Sequence, residues 1–457
     1  MQLTTFDFVL LAGYFAIVLF VGWRAGRRGD TERFLLASRE LGPWESAASM
    51  CASKTGAGFF LTQVALVYVY GAAAVWTFLG VLVGYIGFYF FAARIKPRAD
   101  RDRYYTLSDY FFQEFGSGAG YASACMVLAI FSLGFASQLI GGAKVMAALT
   151  GFDYVLSLLL MASVIVIYIL VGGFKAVVAT DVVQYVAILT LSLVLAAFLF
   201  LNLDIPIPTE DLTFAPSVSA ALFIASVLFP FAAADLWQRV YATRGRAQTQ
   251  RSLLYAMFIY TLFGFLLTAV GLLVKSVVHT DDHNLALIIG FQQLLPAGLM
   301  GLAVIVLYAA LMSSADTNLF TSSSVVVQDL YGRLVGEVSH DQMVVGIRWV
   351  SVVFGVVAFV LAALFADLLK VGFVWFALNV SVGVVVLASW LLPGVTSVGL
   401  TTGLITAAAA LIVRGSVWST DEILIYVALI ATSAGILSGE LLGRLWSYAR
   451  VDRGAQG

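Results

Sequence analysis

The chain has 457 residues, of which 61% are hydrophobic and only 11% charged, with a mean hydropathy of +0.98 and a formal net charge of −1. A soluble domain carries roughly 25% charged residues, so a water-soluble enzyme fold is excluded and an integral membrane protein is expected. The two cysteines, Cys51 and Cys125, lie in apolar runs and supply neither a disulfide framework nor a metal site, and the basic residues are scattered over short loops, which gives no support for nucleic-acid binding.

In chain order, apolar stretches of membrane-spanning length fall near 5–24, 45–72, 74–94, 119–148, 153–171, 176–202 and 217–235. Six more follow near 252–277, 297–328, 343–366, 370–392, 395–413 and 421–443. These predict an all-α protein of about thirteen transmembrane helices, and no strand-like alternation recurs that would build a barrel. The first stretch lacks a basic segment before it and continues into Arg24, Arg27 and Arg28, so it is expected to stay as an anchor helix and not to be removed as a signal peptide.

Lysine and arginine gather in alternate loops. One set holds Arg24 to Arg39, Arg94 to Arg103, Lys175, Arg239 to Arg251, Arg333, Arg348 and the tail residues Arg444, Arg450 and Arg453. The other, with the acidic loops Asp204–Asp211 and Asp281–Asp282, holds Lys275, Lys370 and Arg414. The positive-inside rule then places the N-terminus outside and the C-terminus in the cytoplasm of a multi-pass cell-membrane protein. No loop reaches domain size, so the chain reads as one transmembrane domain, and its function is expected among polar and helix-breaking residues at membrane depth.

Three clusters stand out. Ser53-Lys54-Thr55-Gly56-Ala57-Gly58 interrupts the second stretch, where a break frees carbonyls for a cation while a new half-helix aims its positive end at the gap. Lys54 costs on the order of 3 kcal/mol at the bilayer centre, and simple small-residue packing does not account for it. In the second cluster, Ala310 to Asn318, the residues Ser313, Asp316 and Thr317 share one helix face and offer hard oxygen ligands, and the run continues through Ser322–Ser324, which bond back to the helix, to Asp329. The third, Gly172 to Gln184, sets Asp181 near a helix start, where a structural role at the helix dipole is an equal reading. Arg239 reads as an interfacial anchor, Lys144 as a snorkelling residue, and Trp237 and Trp446 as an aromatic belt. His279, His283 and His340 fall in loops, so no catalytic constellation lies at depth and no enzyme is expected.

Several stretches together resemble the sodium/solute symporter family: FLLASRELG at 34–42, GGFKAVVATDVVQ at 172–184, WQR at 237–239, and LPAGLMGL before ALMSSADTNL. Ile169 departs from the family signature. The resemblance implies a LeuT-type inverted-repeat fold with repeats at about 45–202 and 217–392, the segment 1–44 before them and 393–457 after. It implies a main sodium site from carbonyls of Ala52, Thr55 and Ala310 with the hydroxyls of Ser313 and Ser314. A second cation site would draw on Asp181, Ser313, Asp316 and Thr317. No cofactor is implied beyond Na⁺ as coupling ion, and the partners are the lipid bilayer and a small solute, with the oligomeric state left open.

Lys54 departs from the family, whose members carry a neutral or acidic residue there. A fixed charge beside a bound Na⁺ is repulsive by roughly several kcal/mol at an effective dielectric of 20. Either Lys54 replaces the cation, pairs with Asp316 or Asp181 and makes the carrier proton-coupled, or it recognises a carboxylate on the solute. Phe78 and Val81 stand where sugar carriers place polar contacts, while Ser226, Phe229 and Pro230 face them, so an amino acid or other carboxylate is expected rather than a sugar, with Lys54, Gly56, Ser226 and Phe229 around it. The function implied is uptake by alternating access. A transporter-like sensor acting through a partner is the alternative, and the lack of a kinase segment after Arg450 favours transport over it, while a channel is disfavoured by the broken-helix pattern.

Overall fold

Long apolar runs have no water to satisfy their backbone, so each closes its hydrogen bonds within a helix. The computed structural model describes residues 5–25, 31–169, 174–202, 208–296, 298–336, 339–417 and 421–454, and among these the regular structure is helical without strands. In chain order the helices are α1 Thr5–Ala25, α2 Thr31–Leu36, α3 Pro43–Ala52, α4 Ala57–Tyr70, α5 Trp76–Arg101, α6 Leu107–Phe115, α7 Ser117–Thr150, α8 Tyr154–Ile169, α9 Phe174–Asn202 and α10 Pro216–Ala232. They continue as α11 Ala234–Ala242, α12 Arg246–Val277, α13 Ala286–Leu294, α14 Met300–Ser324, α15 Gly332–Val335, α16 His340–Leu364, α17 Leu368–Leu391, α18 Ser397–Val417 and α19 Ile423–Gly454.

Among the described residues, nine helices are long and apolar enough to cross a bilayer, ten when the bent pair α10–α11 counts as one span. The expected thirteen is not reached on that measure. A short 3₁₀ stretch, Gly71–Val75, runs α4 into α5 so that Gly58–Arg101 counts once, and the apolar parts of α1 and α8, Val9–Ala25 and Tyr154–Ser163, are too short to count. The outward faces are apolar as a lipid-facing surface requires: Trp349, Val353, Val356 and Val360 on α16 and Leu437, Leu441 and Leu445 on α19 are exposed.

Local chemistry sets the helix ends. Gly42 precedes Pro43 at the first position of α3, where a missing N–H costs nothing, and Glu45 Oε2 accepts the Gly42 N–H at 3.1 Å. Thr106 and Asp109 close a reciprocal capping box on α6. Two spans break. α3 stops at Ala52, Gly56 is extended (φ −67°, ψ 163°), and α4 restarts the span at Ala57. Further along, Pro230 cannot donate back to Ser226, Ala233 leaves helical geometry (φ −75°, ψ 88°), and α11 departs from α10 at 41°. Around these breaks Ser53, Thr55, Ser226, Asp235, Gln238 and Arg239 are buried.

α5 lies against α10 closely enough that a Cβ on Gly84 would stand 2.5 Å from the Val227 carbonyl oxygen and 3.0 Å from Pro230 Cδ. Backbone cannot yield as a side chain does, so Gly84→Val is expected to destabilise by about 1–3 kcal/mol. Thermal unfolding of the detergent-purified protein checks this, and an unchanged melting temperature would show that the two helices can part at no cost.

Two expectations are corrected. Trp237 is not an interfacial anchor but 1% exposed, with its indole N–H donating to the Phe231 carbonyl at 2.9 Å and its ring against Phe91 and Tyr110. Lys144 does not merely snorkel: its ammonium donates to Asp282 Oδ2 at 2.7 Å. Burial alone pushes the Asp282 carboxyl up, but hydrogen bonds from Lys144 and Asn284 outweigh it and hold the group below the usual carboxylate range. Arg27, Arg28, Gly172 and Gly173 lie outside the described residues, and so does the side chain of Trp446.

Candidate functional site

The two breaks face each other at the floor of a cavity of about 110 Å³ lined from α4, α5, α7, α10, α12, α14 and α17. A buried volume of roughly 10–15 Å³ on this measure holds one water, so the space suits a small solute. Lys54, Gly56, Ser226 and Phe229 all line it, together with Thr77, Gln138, Ser314 and Asn379. Aromatic rings from Phe59, Phe131, Tyr260, Trp375 and Phe376 form much of the remaining wall.

Gly56 allows the floor to form. A Cβ there would meet Ser314 Oγ at 2.5 Å and Gln138 Oε1 at 2.4 Å, so a larger residue would push α14 and α7 off the break. Gln138 then accepts the Gly58 N–H at 3.1 Å, satisfying one of the free donors at the start of α4. On the other side of the break, Ser313 Oγ lies 3.0 Å from the Ala52 carbonyl and 3.0 Å from the Ala310 carbonyl. Ser314 Oγ lies 3.1 Å from the Ser53 carbonyl and 3.5 Å from that of Ala52. Hydroxyls and carbonyls from α3 and α14 thus converge on one point, a donor set of neutral hard oxygens suited to an alkali cation. Thr55 is fully buried at the break with its hydroxyl on the Cys51 carbonyl at 3.1 Å.

Lys54 does not pair with Asp316 or Asp181. Its ammonium donates to Asp235 Oδ1 across the two breaks, and it stands 5.0 Å from the Phe229 ring centroid. The reason is geometric: Asp235 lies on the first turn of α11, directly against the unwound segment, and Ser53 Oγ donates to its other oxygen at 3.0 Å. The stretch Asp235 to Arg239 stands out in the sequence, but not Asp235 as the partner of Lys54. The available signal was an aspartate with Arg239 four residues on, directly after a proline-containing apolar span.

Arg239 is no interfacial anchor; it is fully buried. Its guanidinium donates to Ser49 Oγ (2.7 Å), Asp181 Oδ2 (2.9 Å), Thr317 Oγ1 (2.9 Å) and the Asp235 carbonyl (3.2 Å), and stands 3.7 Å from Asp235 Oδ2. Four elements, α3, α9, α11 and α14, are joined by this one side chain. Among the residues expected for a second cation, Asp181 and Thr317 therefore meet through Arg239, while Asp181 Oδ1 and Asp316 Oδ2 keep no hydrogen-bond partner. Lys54, Asp235, Arg239 and Asp181 form a buried line of alternating charge from the cavity toward α9 and α14.

The model of the sodium:solute symporter family matches residues 34–407. The chain belongs to that family. Among curated relatives, the osmoregulated proline transporter of Bacillus subtilis is 27% identical over 434 residues, covering 89% of this chain and 88% of its own. The sodium/proline symporter of Salmonella typhimurium is 25% identical, covering 96% of this chain and 93% of its own. In structure the chain is similar to a Na⁺-coupled sialic acid symporter solved in a substrate-bound outward-open state, with a TM-score of 0.80 at 17% identity over 96% of this chain and 98% of that one. The fold is therefore the LeuT-type all-helical bundle, and the protein is a sodium-coupled solute symporter of a transporter family. A symporter of this kind works in a cell membrane, where its apolar outer helix faces meet lipid.

Proposed function

We propose that this symporter couples inward movement of Na⁺ to uptake of a small organic solute bearing a carboxylate, an amino acid or other carboxylate, by alternating access. The observation that carries the reading is Lys54 at the cavity floor with its charge balanced from behind by Asp235. The balance removes the objection that a lysine would repel the coupling ion: a carboxylate beside the lysine offsets its field at the Ser313–Ser314 oxygens. It also removes the reason for proton coupling through Lys54, since the lysine already has its counter-ion and neither Asp181 nor Asp316 serves it.

In this reading the main Na⁺ is held by carbonyls of Ala52, Thr55 and Ala310 and the hydroxyls of Ser313 and Ser314. A second cation is held near Asp181, Ser313, Asp316 and Thr317, where two carboxylate oxygens are uncommitted. The solute rests against Lys54, Gly56, Ser226 and Phe229. The two inverted repeats span 45–202 and 217–392, with 1–44 preceding and 393–457 following, the N-terminus outside and the C-terminus in the cytoplasm. The interrupted α3–α4 and α10–α11 spans each open one repeat, which is where such carriers build their sites.

The test is Na⁺-dependent thermal stabilisation of the purified protein, with choline as control. Binding at a hundredfold excess over Kd stabilises by about 2.7 kcal/mol, so Na⁺ is expected to raise the melting temperature of the wild type. Ser313→Ala removes one of the converging oxygens and is expected to shift the Na⁺ midpoint upward by on the order of tenfold, the equivalent of about 1.4 kcal/mol. An identical response in Ser313→Ala would remove that hydroxyl from the ion site.

A further inference from the structure

We infer that the solute is an organic monoanion, a carboxylate with no cationic group, and not a zwitterionic amino acid; this rests on the carboxylate reading above and narrows it. Among the described residues lining the cavity, Lys54 is the only charged side chain. An ammonium on the solute would therefore find no carboxylate to pair with. The nearest one, Asp235, is fully buried behind the lysine and off the cavity wall, and its oxygens already take Lys54, Ser53 Oγ at 3.0 Å and the field of Arg239 at 3.7 Å.

Lys54 itself is under-used. An ammonium has three donors, and Asp235 is its hydrogen-bond acceptor in the structure, with Phe229 under one side. A carboxylate arriving in the cavity supplies the acceptor that remains to be met without displacing Asp235. Thr77 Oγ1 and Ser226 Oγ, buried on the same wall, have no partner and are suited to the anion's other lone pairs, while Asn379 Oδ1, also unpartnered, accepts a single neutral O–H. A zwitterion brings two or three charged donors within a few ångströms of Lys54, where they meet a like charge and only neutral acceptors, the hydroxyl and amide oxygens of the wall. The aromatic remainder of the wall fits an apolar, compact body.

The experiment uses isosteric pairs on the full-length protein in lipid nanodiscs at constant Na⁺, with thermal stabilisation as readout. Tetrahydrofuran-2-carboxylate is compared with L-proline and 2-hydroxyisovalerate with L-valine, each pair differing chiefly in whether the group beside the carboxylate carries a positive charge. The anion of each pair is expected to bind at least about tenfold more tightly than its amino acid, a difference of about 1.4 kcal/mol. Lys54→Gln is expected to abolish that preference. An amino acid binding as tightly as its anion isostere in the wild type overturns the inference, and this comparison stands alone if Lys54→Gln does not fold. Stabilisation by Na⁺ with no response to either anion also overturns it while leaving the symporter reading intact. No response to Na⁺ defeats the sodium reading first and the inference with it.

Discussion

Asp235→Asn is expected to destabilise the protein by about 3–5 kcal/mol, the cost of leaving one partner of a buried ion pair without the other. Lys54 would then stand at membrane depth with an amide in place of its counter-ion and with Arg239 close behind that amide. The double variant Lys54→Gln/Asp235→Asn removes both charges and is expected to regain most of the loss, because the desolvation of two ions disappears along with their attraction. A double-mutant cycle in thermal unfolding reads the coupling directly, and additive effects of the two substitutions would mean that they do not act as a pair. Solute binding does not follow stability here: the double variant is expected to fold and respond to Na⁺ yet to have lost its solute, since no charged group is then left among the described residues lining the cavity.

Arg239→Met is expected to cost as much, about 3–5 kcal/mol, for the same reason at the other end of the line. Asp181 would keep only Ser49 Oγ, at 2.5 Å, and Thr317 would lose its donor, so α9 and α14 would no longer be tied to the half-helices α3 and α11. Arg239→Lys keeps the charge but not the planar fork that reaches four groups at once. It is therefore expected to lie between wild type and Arg239→Met in both melting temperature and Na⁺-driven uptake in proteoliposomes. If Arg239→Lys equals wild type in both, the charge alone is sufficient and the fork geometry contributes nothing.

Much of this was legible without coordinates because the bilayer allows few solutions. Apolar length located the helices, and glycine with polar residues inside an apolar run located the break at Ser53–Gly56, since a helix cannot continue cheaply through such a segment while leaving its carbonyls in lipid. The resemblance to the family depended on the same stretches, and the hydroxyls of Ser313 and Ser314 both reach the Ala52 carbonyl across α3 and α14, with that of Ser313 also on the Ala310 carbonyl. The second break was less visible, because Pro230 and Ala233 sit in an apolar background and only the 41° bend reveals the change of direction.

What the sequence determined by itself was the solvent, the helical class, and which residues are too polar for their depth to be idle. It could not say whom they meet. Spacing alone offers Lys54 either Asp316 or Asp181 or a solute carboxylate and places Arg239 and Trp237 at the interface, because one-dimensional spacing reports the face of a helix but not the neighbour that face is turned to. Partnering depends on where α11 leaves α10 and on how closely α3 approaches it. That close approach brings Asp235 to Lys54 and carries Arg239 into the interior, where burial makes each charge dependent on the next.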